Sequence, residues 1–178
     1  MKEKISLYLV ATVKRIGALW VGFLVSLIPL YMLRASIHDL DTRAIVEPLA
    51  SYLIVVLSAA LFLFFFYRRD DDAAKMDNKG IVGLTVIPTA IHLLLCVLIC
   101  WSKYVYFLLS AAHAITHLLA PGAHDITEQA IWSVLVASLI TTPVPAVGVY
   151  FGCLSARKKR EKEVAELHRE ENLLQKRP

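Results

Sequence analysis

His113 and His117 stand four residues apart, and His124 follows seven residues later. At i and i+4 of a helix, two imidazoles project from one face. Zinc takes imidazole nitrogen at about 2.0–2.1 Å, so this pair with His124 swinging in from the next loop forms a candidate three-histidine zinc site. In a hydrolase built on it, Glu128 would be the general base. The sequence His113-Ala-Ile-Thr-His117 lacks the glutamate that follows the first histidine in zinc-protease helices. Two histidines on the polar face of a helix lying at a membrane interface ordinarily meet lipid headgroups, and that reading is preferred, with no cofactor.

A second constellation runs through Thr85, Thr89, His92, Cys96 and Cys100. Steps of three and four residues put all five on one helix face. Polar groups in a membrane span face other helices or water rather than lipid, so the stripe is expected to line an interior, as a path or as a packing surface. Threonine and cysteine also back-bond to their own helix. His92 reads as a hydrogen-bonded core histidine, because bis-histidine haem needs a second deep histidine and the other spans have none. No nucleophile elbow, Walker loop or carboxylate pair at membrane depth is present, so no catalytic residue is assigned and a carboxylate-driven proton pump is not expected. The aspartates at 70–72 lack the alternation of a calcium loop.

The elements that carry these residues are four apolar stretches, at 16–33, 48–67, 81–101 and 131–154, and none contains Asp, Glu, Lys or Arg. About 20 helical residues cross a hydrocarbon core of about 30 Å. A soluble helix of that length would show a polar face. The fold class is therefore all-α: a polytopic membrane protein with four transmembrane helices, residues 1–155 forming the membrane domain and 156–178 a charged tail. Of the 19 Lys and Arg, 16 fall at the N-terminus, in the loop after the second stretch and in the tail; Arg34, Arg43 and Lys103 fall on the other side. The positive-inside rule then predicts both termini in the cytoplasm; a bacterial-type plasma membrane is the expected location. The net charge of +4 follows from that orientation and implies no nucleic-acid partner.

Along the spans, Ala18, Gly22 and Ser26 make a small-residue ridge, and Gly148 and Gly152 make another. Such ridges let helices approach closely. Pro29 is expected to kink or loosen the first span, and Pro48 is expected to open the second. Pro143 and Pro145 remove two ladder donors and predict a break in the fourth span. The first 15 residues suggest a short interfacial lead-in. Residues 104–119 alternate an apolar face with Tyr106, Ser110, His113 and His117, which predicts an outer interfacial helix. Asp125 and Glu128 fit a capping box for the fourth span. Arg157, Lys158, Lys159 and Arg160 would attract anionic headgroups. Cys96, Cys100 and Cys153 lie within spans and read as small apolar packers.

Three functional classes follow. The preferred one is a non-enzymatic small subunit or accessory factor that partners itself, as a homo-oligomer, or a larger membrane protein within the lipid bilayer. The second is an oligomeric channel or transporter whose path is lined by the third-span stripe and the fourth-span break. The third is a membrane metal-binding protein or metalloenzyme built on the three outer histidines.

Overall fold

The computed structural model describes residues 2–99, 136 and 139–175. The described residues are helical, without strands. They form α1 (Lys2–Ser36), α2 (Leu40–Arg68), the single turn α3 (Asp71–Ala74), α4 (Asn78–Ile99) and α5 (Pro143–Gln175). Among the described residues, four helical segments are long and apolar enough to cross a membrane: Ile5–Ser36, Leu40–Arg68, Asn78–Cys96 and Leu139–Asn172.

α2, α3 and α4 begin where carboxylates satisfy free backbone donors. Asp39 accepts the Thr42 N–H at 2.9 Å and caps α2. Asp70 accepts the N–H groups of Asp72 and Ala73 and caps α3. Asp77 accepts the Gly80 N–H at 2.7 Å at the start of α4. Each supplies a partner for first-turn donors that the helix itself leaves open.

Contacts along the helices fix their directions. Lys14 lies over the Phe66 ring at 4.4 Å, Gly22 meets the Val55 backbone, and Arg34 pairs with Glu47 at 3.5 Å, so α1 and α2 are antiparallel. Gly148 meets the Ala60 backbone and Gly152 that of Phe64, so α2 and α5 run parallel. The Arg157 guanidinium donates to Asn78 Oδ1 at 2.6 Å, which joins the tail side of α5 to the start of α4. Each of the four long helices packs on two neighbours, in the ring α1, α2, α5, α4. The start of α1, the link at 69–77 and the extension of α5 share one end of the bundle. The link at 37–39 lies at the other.

The core is narrow. Ala18 and Leu19 of α1, Val55, Ala59 and Leu63 of α2, Ile81 and Leu84 of α4, and Val149 and Cys153 of α5 are buried together. Leu24, Ile28, Leu57, Leu61, Val86, Leu94, Val147 and Phe151 point outward and are exposed. Large apolar side chains standing outward on every long helix are what a lipid solvent favours and water penalises.

Three boundaries differ from the sequence expectation. α1 is one helix from Lys2 through Pro29 to Ser36 rather than a lead-in followed by a span at 16–33. Nothing in residues 2–15 breaks a helix, and there is neither Gly nor Pro before Gly17. Pro48 lies inside α2, which starts eight residues earlier at the Asp39 cap. α5 runs unbroken from Pro143 to Gln175, across the expected boundary at 156.

Candidate functional site

Arg15 is the centre of the bundle's polar interior. From sequence it falls among the flanking cations, just outside the first span. The structure corrects this: α1 carries it inward, and its side chain is 1% exposed. Arg15 therefore drops out of the flanking cations on which the expected orientation rests.

Its fork reaches two other helices. Nη1 donates to Thr89 Oγ1 and, at 3.4 Å, to the Thr85 carbonyl. Nη2 donates at 2.6 Å to the Thr142 carbonyl, across the diagonal of the bundle. Nε has no hydrogen-bond partner, and no carboxylate lies within ion-pair distance of the guanidinium, among the described residues. The buried Tyr67 of α2 is near enough to interact electrostatically with it.

The acceptors lie where prolines weaken the helices. Pro88 sits between Thr85 and Thr89 inside α4 and is itself buried. Residues 139–141 are helical, Thr142 forms a turn, and Pro143 begins α5. Pro143 and Pro145 have no N–H for the carbonyls of Leu139 and Thr141, so the ladder is interrupted there. Backbone loosened in this way within a membrane needs other donors. Arg15 donates beside the break, to the Thr142 carbonyl rather than to those of Leu139 or Thr141.

Magnitudes nearly balance. A cation at the helix centre costs about 2.5–3.5 kcal/mol on insertion scales, which is an upper bound for Arg15, one residue along α1 from the Lys14 that lies over Phe66 near the end of α2. Interhelical hydrogen bonds in membranes return about 0.6 kcal/mol each on average, and about 1.7 at most. Three such bonds roughly offset the charge. The node therefore adds little net stability; it determines which faces of α1, α4 and α5 meet.

No protein-family model matches this sequence, and no curated protein or solved structure matches it either. The site thus stands on its own chemistry.

Of the stripe residues, Thr85 and Thr89 are half-buried at the Arg15 fork, and His92 and Cys96 are buried further along the same face of α4. Cys100, His113, His117, His124, Asp125, Glu128 and the helix expected at 104–119 lie outside the described residues. Ala18, Gly22, Ser26, Gly148 and Gly152 are all buried within the bundle. A Cβ on Gly22 or Gly148 would collide with backbone of α2, and one on Gly152 would lie 2.8 Å from the Phe64 carbonyl oxygen. Both ridges therefore pack this chain against itself. Pro145 is buried and Pro143 exposed at the break. Of the four tail cations, Arg157 bonds Asn78 and Glu161, Lys159 pairs with Glu163 at 3.5 Å, and Lys158 and Arg160 are exposed.

Arg15 was not assigned from sequence, yet a signal was present. The ridge Ser26, Gly22, Ala18 continued backward by three and four residues lands on Arg15 and Ala11.

Proposed function

We propose that this chain is a multi-pass plasma-membrane protein with both ends in the cytoplasm, acting without enzymatic chemistry as a small structural or accessory component of a membrane assembly. The observation that carries the reading is Arg15, whose Nη donors are directed to hydroxyl and carbonyl acceptors on α4 and before α5. Such a fork ties helices together. The orientation rests on the concentration of cations at the end bearing the start of α1, the 69–77 link and the α5 extension. The two small-residue ridges no longer argue for a partner, because the chain's own α2 occupies them. Purification in mild detergent with measurement of mass and co-purifying proteins tests the assembly. A stoichiometric foreign subunit supports it, and a bare monomer in every mild detergent contradicts it.

One observation favours a second reading, a channel or transporter. The third-span stripe and the fourth-span break, the two features expected to line a path, meet at Arg15. Buried intramembrane cations commonly mark ion or substrate pathways. Reconstituted liposomes that pass a small anion, with flux altered by Arg15→Gln and reaction of Cys96 with an impermeant thiol reagent, would favour this class over the first.

A further inference from the structure

At the end of the bundle where α2 stops, a cavity of about 210 Å³ opens between the 68–75 link and the extension of α5. Arg68, Arg69, Lys75, Lys159 and Arg160 line it. Asp70, Asp71 and Glu163 line it too, but two of these acids are engaged: Asp70 caps α3 and Glu163 pairs with Lys159. Arg68, Arg69 and Arg160 have no ion-pair partner among the described residues. The walls therefore hold more positive charge than their own acids neutralise.

The depth of the cavity is as informative as its charge. Residues 48–67 of α2 carry no charge, and Arg68 is the first that does. Twenty residues at about 1.5 Å each span about 30 Å, the thickness of a hydrocarbon core. Arg68 thus stands at the hydrocarbon boundary, its guanidinium over the Phe64 ring at 5.9 Å. Lys14 lies over Phe66 on the same turn of α2, and Phe65 and Phe66 are exposed. Snorkelling cations of this kind mark headgroup depth.

We propose that this cavity binds a phosphate group, carried by the headgroup of an anionic phospholipid, with Arg68, Arg69 and Arg160 as its principal donors. Guanidinium forks match phosphate oxygens bidentately, and basic pockets between spans at this depth hold acidic headgroups. The proposal requires that the helices cross the bilayer, not that Arg15 has any functional role.

The test uses the full chain in detergent, with thermal unfolding followed as phosphatidylglycerol, phosphatidylcholine or inorganic phosphate is added, and native mass spectrometry for retained lipid. Phosphatidylglycerol is expected to stabilise and to be retained, and phosphatidylcholine to do neither. The double variant Arg69→Gln/Arg160→Gln should bind about 30-fold more weakly, as two removed charges imply. Lys158→Gln/Lys162→Gln makes the same charge change outside the cavity and should keep binding. Stabilisation by inorganic phosphate that competes with the lipid would identify free phosphate as the source of the bound group. Equal loss in both double variants would mean diffuse attraction only, and no response to any of the three probes would likewise overturn the site.

Discussion

At the residue scale, the decisive group is a single arginine whose cost and return nearly cancel. Arg15→Met keeps the length and removes the charge. Its expected effect on unfolding in detergent is within about 1 kcal/mol of zero, because replacing a buried cation by an apolar group of similar volume is often neutral or better. A loss of several kcal/mol would show that Arg15 is a stabilising keystone instead. The small-residue ridge continued backward from Ala18 meets Arg15 after three residues and Lys14 after four, so the sequence signal narrows the inward cation to these two, and the register of α1 decides that Arg15 faces inward while Lys14 snorkels over Phe66. Asp39 shows the same sensitivity to local geometry. The hydrogen bond from the Thr42 hydroxyl, then that from its N–H, hold the Asp39 carboxyl below the ordinary carboxylate range. A depressed folded-state pKa means the cap stabilises above the unfolded value and is lost as pH falls through the folded one. The α1–α2 hairpin should therefore loosen in acid, and Asp39→Asn should flatten that dependence in a pH series of melting curves.

At the element scale, glycine separates contact from exposure. Gly148 packs on the Ala60 backbone, where a larger side chain forces helices apart; Gly148→Leu is expected to cost about 1–3 kcal/mol or more and to lower the folded yield. Gly17 has no atom within 4 Å of where its Cβ would stand. Gly17→Ala should be neutral or stabilise by up to about 1 kcal/mol through helix propensity. Equal effects of the two, measured in the same detergent unfolding assay, would place Gly148 on a lipid face. The ridges were legible as packing surfaces because small residues every four positions leave a groove. What fills the groove was not legible: the spacing is identical for a neighbour within the chain and for a second molecule. The break at Pro143 and Pro145 was equally readable, since the missing donors are a property of the residue. Its joining to Pro88 through Arg15 was not, because the residues lie more than 50 positions apart in sequence.

At the scale of the whole molecule, the apolar stretches and their charged borders gave four spans without reference to packing, since length and the absence of charge are one-dimensional. Orientation is tested by cysteine labelling in intact cells on a background lacking Cys96, Cys100 and Cys153. Position 38 should react from outside, and positions 75 and 165 only after permeabilisation. Labelling of position 75 in intact cells would reverse the assigned ends. The central claim is that Arg15 joins α1 to α4 and to the break before α5. A double-mutant cycle between Arg15→Gln and Thr89→Val, read as unfolding free energy in detergent, measures that joint most directly. Coupled side chains are non-additive, and interhelical bonds of this kind give about 0.6–1.7 kcal/mol. A coupling in that range, absent from a control cycle between Arg15→Gln and Thr42→Val at the far end of α2, is the expected result. Strict additivity of Arg15→Gln and Thr89→Val would contradict the account.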